Sequence, residues 1–302
     1  MTRASIHTDL AYERCKADEN DDGVKFKEEM LFDTQKHTLD ITTQSASEKY
    51  GMPIGRYTTL LFPPLWDMDD CQISSASNTL RQTLHEYLQR ILGDKTIKGS
   101  RILVVGLGNR YLTADAIGPM TVKNISATNH IAEYESDVFA KYFNAKIITV
   151  APGVMSQTGL ESADIIRGIC ENNPIDAVIA IDALAARSCE RLATTIQISN
   201  TGITPGSGIN NARNALNEST LGTPTIAIGV PTVVDSATLI TDALEKANKT
   251  DISDDFFDAL NDRRFFVSPK ECDTVTENAS RIISDAINSV LNENLFEERK
   301  EQ

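Results

Sequence analysis

An α/β fold with a mainly parallel central sheet is the fold class that this sequence predicts. Short apolar runs at 101–105, Lys146–Val150 and 175–181 have the length and composition of buried strands. Segments with helical periodicity alternate with these runs, and that alternation favours parallel strands joined by helices. A chain of 302 residues is long enough to bury one large core or two small ones.

The N-terminal part of the chain predicts strands that come before the parallel sheet. Residues 1–23 are polar and end in an acidic run, which indicates a mobile leader. Residues 24–64 contain three strand-like runs that close on Pro63-Pro64, and they predict a β-rich N-terminal region. Leucine and isoleucine residues near helical spacing predict a helix over 77–92.

The remaining periodic and apolar runs predict more elements of the same two kinds. They are strands over 195–198 and 225–228, and helices from Gly118 onward and over 160–172, 236–248 and 274–294. The acidic stretch 251–264 interrupts this pattern, and we expect it to be a surface insertion.

The charge balance argues against a protein that binds nucleic acid directly. The net charge is −14, and no run of lysine and arginine supplies the basic patch that a phosphate backbone requires. The N-terminus has no apolar h-region and no stretch reaches transmembrane length, so we expect a cytoplasmic protein without membrane contact. Five cysteines without CxxC spacing indicate reduced thiols in such a compartment.

Two aspartates, Asp115 and Asp182, each follow an apolar strand-like run and are the candidate catalytic residues. In an open α/β sheet, ligands bind where the chain leaves the carboxyl ends of the parallel strands. Asp182 stands between apolar residues, and an unpaired carboxylate buried there is costly unless its pKa rises. Two carboxylates at one sheet edge can act as a general acid and a general base, and we expect Asp182 to have the raised pKa.

Asp115 also has a simpler structural interpretation. It can serve as the N-cap of a helix that begins near Ala116 or Ile117, because aspartate is a favoured residue at that position. Asp235 can cap a helix that begins at Ser236 in the same way. The sequence leaves both interpretations open.

Other catalytic chemistries find little support in the motifs. Gly106-Leu107-Gly108 lacks the third glycine of a dinucleotide-binding loop because Tyr111 stands in its place, so we expect neither NAD nor FAD. The four histidines do not follow the strands that would build a site, which argues against Ser-His and Cys-His enzymes. No HExxH or clustered Cys/His motif indicates zinc, so we expect no cofactor, although a carboxylate-bound magnesium ion stays open.

Two further stretches, 203–208 and 226–235, are rich in conformationally constrained residues. Pro205 stands where a nucleophile elbow requires glycine, and no Gly-Lys-Ser/Thr follows, so the first stretch is neither an elbow nor a P-loop. The second is a strand that ends in a proline-containing turn. Such loops at a sheet edge can present backbone groups to an extended peptide, or they can serve only as scaffolding.

At these residues the chain resembles a known family, the GPR endopeptidases or germination proteases of endospore-forming bacteria. Eight motifs in order carry the resemblance over most of the chain: HTDLAYER (7–14), GRYTTLLFPP (55–64), GLGNRYLTADAIGP (106–119), ITVAPGVMSQTGLESADIIRGI (148–169), AIDALAARS (180–188), TPGSGI (204–209), IAIGVPTVVD (226–235) and FVSPKECD (266–273).

The resemblance implies an endopeptidase that degrades small acid-soluble spore proteins during germination, in the forespore or spore core. The two catalytic aspartates of the family fall by motif on Asp115 and Asp182. Neither lies in the Asp-Thr/Ser-Gly signature of pepsin-like enzymes, so the similarity to that class is chemical only.

The resemblance also implies an inactive, homotetrameric zymogen that removes its own propeptide. We expect residues 1–9 to be the propeptide, cut between Asp9 and Leu10, and 10–302 to be a single α/β peptidase domain. An acidic residue followed by an apolar one and alanine is similar to the family's preferred substrate site, so the propeptide is expected to be cut as a substrate mimic. His7, Tyr12 and the short leader depart from the family pattern, and they bear on the timing of processing.

Two alternatives belong to other classes of protein. Hydrogenase-maturation endopeptidases have a very similar opening, a strand followed by GxGN and then an acidic residue before a glycine, as in RILVVGLGNRYLTADAIG (101–118). The implied fold is similar to theirs, a three-layer sandwich. Their nickel-sensing site includes a later histidine, whereas this sequence has none after His130. A non-catalytic acidic binding protein is the second alternative.

Overall fold

A nine-stranded mixed sheet forms the centre of the protein. The structure, a computed structural model, describes residues 8–14, 22–207, 213–248 and 265–292. Within those ranges the strands are β1 (Val24–Leu31), β2 (Thr34–Ile41), β3 (Gly55–Leu61), β4 (Arg101–Gly106), β5 (Lys146–Val150), β6 (Ala177–Ala186), β7 (Thr195–Ser199), β8 (Thr225–Asp235) and β9 (Phe266–Val267). Their order across the sheet is β1-β2-β3-β7-β8-β6-β4-β5, and β9 pairs with β8.

Four neighbouring strands of this sheet are parallel. β4 lies between β5 and β6 and pairs in parallel with both, and β6 pairs in parallel with β8. The strands β1, β2, β3 and β7 continue the sheet on the far side of β8 in antiparallel pairs. The predicted α/β fold and its β-rich N-terminal region are therefore confirmed, and the N-terminal strands extend the same sheet.

Helices connect the strands and cover both faces of the sheet. They are α1 (Ala11–Arg14), α2 (Gln44–Tyr50), α3 (Asp70–Leu92), α4 (Ile117–Lys123), α5 (Asn129–Tyr134), α6 (Ser136–Tyr142), α7 (Met155–Thr158), α8 (Ser162–Asn172), α9 (Glu218–Leu221), α10 (Ser236–Lys246) and α11 (Cys272–Leu291). No helix in the described ranges is long and apolar enough to cross a membrane.

The two faces of the sheet carry separate cores, which gives a three-layer arrangement. On one face α3, α4 and α11 pack over the odd-numbered residues of β6, including Ile179 and Ile181. On the other face, Ile166 of α8 packs with Val178 and Ala180. Because successive side chains of a strand point to opposite faces, Asp182 belongs to this second face, which we call the α8 face.

Strands β6 and β8 are longer than the sequence predicts. We expected them to end at Ile181 and Ile228, but their parallel pairing continues to Ala186 and Val234, with a register shift after Leu184. The pairing satisfies backbone groups that would otherwise be left free at a sheet edge. Asp182 therefore lies within a strand and does not follow one.

The helix predicted over 77–92 also begins earlier, at Asp70. Asp69 caps it, and the reciprocal hydrogen bonds between Asp69 and Gln72 form a capping box. Its first two turns are too polar to show helical periodicity, so the sequence does not predict them as part of the helix. The predicted acidic insertion 251–264 and most of the predicted leader lie outside the described residues.

Candidate active site

Asp182 lies on the α8 face of β6, at the level where its shorter neighbour β4 ends. Gly106, the last residue of β4, pairs with Ile181, and Asp182 pairs with Gly229 of β8 on its other side. Only 5% of Asp182 is exposed, and its Oδ1 accepts a hydrogen bond from the Ala183 backbone N–H at 3.0 Å. Its carboxyl group thus lies where ligands bind in sheets of this kind.

Asp115 reaches the same cleft on a tight loop between β4 and α4. The loop turns at Gly108, which has a φ of 107°, and a Cβ atom there would lie 2.1 Å from the Asp115 carbonyl oxygen. Only glycine fits such a turn. The backbone N–H of Asn109 then donates to Asp115 Oδ2 at 2.8 Å and holds the carboxylate in place.

Two further glycines bring this loop down onto β6. A Cβ atom on Gly106 would lie 2.2 Å from the Gly118 carbonyl oxygen. One on Gly118 would lie 2.3 Å from the Leu107 oxygen and 2.6 Å from the Ile181 oxygen. The first turn of α4 therefore packs directly against backbone beside Asp182. The glycines therefore hold the Asp115 loop in a tight turn against β6.

Two threonine hydroxyls outside the Asp115 loop donate hydrogen bonds to its backbone. Thr232 donates to the Ala114 carbonyl at 2.6 Å, and Thr276 donates to the Thr113 carbonyl at 3.0 Å. Thr232 is the extra residue of β8 at its register shift against β6. The shift therefore aims a buried hydroxyl at the residue preceding Asp115, a typical use of a β-bulge next to a functional site.

Burial and neighbouring charges shift the pKa values of the two aspartates to different extents. Burial raises the pKa of Asp115, and the hydrogen bond from Asn109 opposes that rise. Burial raises the pKa of Asp182 well above its usual range, and the negative charges of Asp115 and Asp9 add to the rise. Asp182 is therefore the carboxyl group that holds a proton more firmly, the direction expected from its apolar neighbours in the sequence.

The helix-cap interpretation of Asp115 is wrong. Ala116 is the N-cap residue of α4, and no side-chain hydrogen bond caps that helix. The carboxylate of Asp115 is directed to Asn109 instead. For Asp235 the cap interpretation is confirmed, because its Oδ1 accepts from the Ala237 N–H at 2.8 Å, at the start of α10.

Asp9, in the N-terminal segment 8–14, lines the same cleft as Asp115 and Asp182. The Asp9 N–H donates to the Ala185 carbonyl at 3.1 Å, so the segment lies beside the end of β6. The cleft has a volume of about 400 Å³. Since Ala185 follows Asp182 by three residues, Asp9 pairs with β6 roughly 10 Å along the strand from the buried aspartate.

Side chains also hold this segment. The carboxylate of Glu13 accepts from the backbone N–H groups of Arg187 and Ser188, both at 2.8 Å. The Ser207 hydroxyl donates to Asp9 Oδ1 at 2.5 Å. The sequence predicts that the stretch 203–208 can present backbone groups to an extended peptide, but it does not predict the side-chain contact of Ser207 with the N-terminal segment.

The chain matches known proteins over most of its length. A family model described as germination protease matches residues 4–250. The chain is 37% identical over 320 residues to the germination protease of Clostridium perfringens (strain ATCC 13124), covering 96% of each chain. It is 41% identical over 248 residues to that of Bacillus subtilis (strain 168), covering 80% of this chain and 66% of the relative.

A solved structure also matches part of the chain. It is the [NiFe] hydrogenase maturation protease HycI from Thermococcus kodakarensis KOD1, at 16% identity and a TM-score of 0.34, covering 68% of this chain and 98% of that one. The family model and the curated relatives carry the assignment, and they agree with the resemblance seen in the motifs. This chain belongs to the germination protease family of peptidases.

Proposed function

We propose that this germination protease is an endopeptidase that degrades small acid-soluble spore proteins, with Asp115 and Asp182 as its catalytic residues. The observation that carries the proposal is that two aspartates from separate parts of the sequence line one cleft. Burial raises the pKa of Asp182, and the negative charge of Asp115 adds to that rise. Groups whose pKa values are shifted by burial and by a like charge mark functional sites.

The two carboxyl groups take different roles in this mechanism. Asp115, ionised and held by Asn109, acts as general base and removes a proton from the water that attacks the peptide carbonyl. Asp182, protonated, donates to the carbonyl oxygen as the tetrahedral intermediate forms. The proton that Asp115 took from the water then passes to the leaving amine as the C–N bond breaks, and the proton on the former carbonyl oxygen returns to Asp182. The pair titrates as a coupled unit, because two close carboxylates cannot both ionise at low cost.

The chain is made as a zymogen that shortens itself. Residues 1–9 are the propeptide, 10–302 are the peptidase domain, and the cut falls between Asp9 and Leu10. The support for this site is that Asp9 already lines the cleft beside β6 and that Leu10 packs against Leu184 of that strand. Because Asp9 pairs with Ala185 and not with Asp182, the segment shifts along β6 before the bond reaches the aspartates.

The working form is a homotetramer in the spore core that uses no cofactor or metal ion. This part of the proposal follows from the family, and size-exclusion chromatography with light scattering checks it directly. A monomer before and after processing contradicts it.

The experiment that tests the function is incubation of the purified chain with small acid-soluble spore proteins. Cut sites in the substrates are identified by mass spectrometry, and the N-terminus of the chain is followed by sequencing. We expect internal cuts in the substrates and conversion of the chain to a form that begins at Leu10. A chain that binds these proteins, cuts none of them and never shortens favours the non-catalytic acidic binding protein.

A further inference from the structure

Strand β6 extends beyond its neighbour β4 and leaves part of one edge open. β4 ends at Gly106, which pairs with Ile181, whereas β6 continues to Ala186. At the end of the shared stretch the Leu107 N–H donates to the Ile181 carbonyl at 2.8 Å. Beyond that bond, the edge of β6 that faced β4 has no neighbouring strand within the described ranges.

The alternation of a β-strand shows which backbone groups lie on this open edge. The N–H and C=O groups of one residue point to the same edge, and those of the next residue point to the opposite edge. The Val178 N–H bonds on the β8 side, whereas the Ile181 carbonyl bonds on the β4 side. Odd-numbered residues of β6 therefore face the open edge, and beyond Ile181 these are Ala183 and Ala185.

These two residues differ in how their backbone groups are used. The Asp9 N–H donates to the Ala185 carbonyl at 3.1 Å, the hydrogen bond that an added strand would make. Among the residues that the structure describes, no backbone donor reaches the Ala183 carbonyl from this side, and the Ala183 N–H bonds to the adjacent Asp182 carboxylate. Ala183 is also partly exposed, while the other residues of β6 are buried. The open edge is therefore unpaired at Ala183.

The active-site cleft lies beside this edge. Residues 153–155, which follow β5, line the cleft together with residues 183–185 of β6. Because β5 and β6 are the two neighbours of β4, the cleft lies where further residues of β4 would be. Strands on either side of a third lie about 10 Å apart in a sheet, which is the width that one extended chain fills. Asp115 and Asp182 line the same space.

From this geometry we propose that the backbone of Ala183 and Ala185 is the docking edge for the substrate, which binds as an added strand in the place that β4 leaves free. Backbone pairing of this kind holds an extended peptide whatever its side chains are. The proposal rests on the proposed endopeptidase function and names the surface that holds the substrate.

The docking edge also gives the N-terminal segment a route to the aspartates. The backbone pattern of a strand repeats every two residues, so a chain bound at Ala185 can move to Ala183 and keep its pairing. That step brings it about 7 Å closer to Asp182. The same edge would therefore hold the chain's own N-terminus and a separate substrate.

Replacement of single backbone N–H groups in a substrate peptide tests the docking edge. The peptides span one cut site mapped in a spore protein, and each has one ester linkage in place of an amide, away from the bond that is cut. An ester removes the donor without adding bulk. Because alternate N–H groups of a strand face the same edge, kcat/KM should fall on the order of tenfold at every second position and by less than about twofold between them.

The carbonyl signals of labelled alanines test the protein side of the pairing. Carbon-13 in the alanine carbonyls places a probe at Ala183 and a matched control at Ala180, whose backbone groups face β8. The full chain is titrated with a peptide in which the scissile amide is reduced to a methylene amine, so that it is not cut. The Ala183 signal, identified by its loss in Ala183→Gly, should shift as its carbonyl gains a donor, and the Ala180 signal should stay in place.

The outcomes separate this proposal from the proposed function. Ester losses at consecutive positions, or at none, in peptides that the wild-type chain cuts would overturn the docking edge, and so would an unmoved Ala183 signal at saturating peptide. The protease assignment would stand in both cases. If the wild-type chain cuts neither spore proteins nor any of the peptides, the proposed function itself fails.

Discussion

Substitution of alanine for Gly108 should displace the loop that carries Asp115. The added Cβ atom would lie 2.1 Å from the Asp115 carbonyl oxygen and 2.9 Å from its Oδ1. The first distance is about 1 Å inside the closest approach of real Cβ atoms, and the neighbour is backbone that cannot rotate away. Either the turn at Gly108 or the position of Asp115 must therefore change.

The size of the effect has two parts. A φ of 107° is unfavourable for alanine by about 1–2 kcal/mol. Overpacking against fixed atoms adds about 1–3 kcal/mol, so the free energy of unfolding should fall by about 2–5 kcal/mol. In the proposed mechanism Asp115 is the general base, so a displacement of about 1 Å should also lower kcat on the order of 100-fold.

The assay compares Gly108→Ala with Gly222→Ala. Gly222 also has a positive φ, of 67°, but a Cβ atom there would meet nothing within 4 Å. This control therefore loses only the backbone part, about 1–2 kcal/mol, and keeps its activity. Urea unfolding gives the stabilities, and cleavage of a spore-protein substrate gives kcat. If the two variants lose equal stability and equal activity, the steric argument for Gly108 is refuted.

Three further predictions follow from the charges and buried hydroxyls of the structure. Asp115→Asn should lower the pKa of Asp182, because a like charge is removed. Carboxyl-carbon NMR titration measures this pKa, and an unchanged value would mean that the two carboxyl groups do not interact. Asp182→Asn should be more stable than wild type at pH 7 but not at pH 4. The folded-state pKa of Asp182 lies above its unfolded value, so the wild-type free energy of unfolding falls as pH rises from about 4. A difference in unfolding free energy between variant and wild type that is the same at both pH values, measured by urea unfolding, would contradict this. Tyr87→Phe should cost about 1–2 kcal/mol of stability, because the Tyr87 hydroxyl bonds to Thr58 Oγ1 at 3.0 Å and to the Ile198 carbonyl at 3.1 Å inside the core; a loss below the error of urea unfolding would count against that bond pair.

The parallel strands could be predicted from the sequence because they are buried on both faces. Strand β4 reads as a nearly continuous apolar run, and every residue after Arg101 is buried. The bounds of β5, which lies at the sheet edge and is only partly buried, also agree with the prediction at Lys146–Val150. The extension of β6 to Ala186 could not be predicted in the same way. It depends on pairing with β8, whose residues lie far away in sequence. It also depends on a register shift that leaves Thr232 of β8 without a partner residue on β6.

The site was predictable to the extent that its chemistry is local. The strand, the glycine turn and Asp115 are contiguous in RILVVGLGNRYLTADAIGP (101–119), so Asp115 could be placed after a strand of the predicted sheet. The docking of Asp9 against Ala185 and Ser207 spans almost two hundred positions of the chain, and no local pattern encodes it. Gln197, whose side chain bonds to the backbone of Ala11 and Asp9, carried no motif, because a single polar residue in a short strand-like run does not indicate a site.

The rate of peptide-bond cleavage by Asp115→Asn and Asp182→Asn tests the proposed carboxylate pair most directly. The matched control is Asp235→Asn, which changes an aspartate that caps α10 into another favoured cap residue. With spore protein as substrate and folding checked by thermal unfolding, each active-site variant should lose on the order of 100-fold or more in kcat, while the control keeps wild-type activity. Wild-type cleavage by either Asp115→Asn or Asp182→Asn would contradict the assignment of these two aspartates as the catalytic pair.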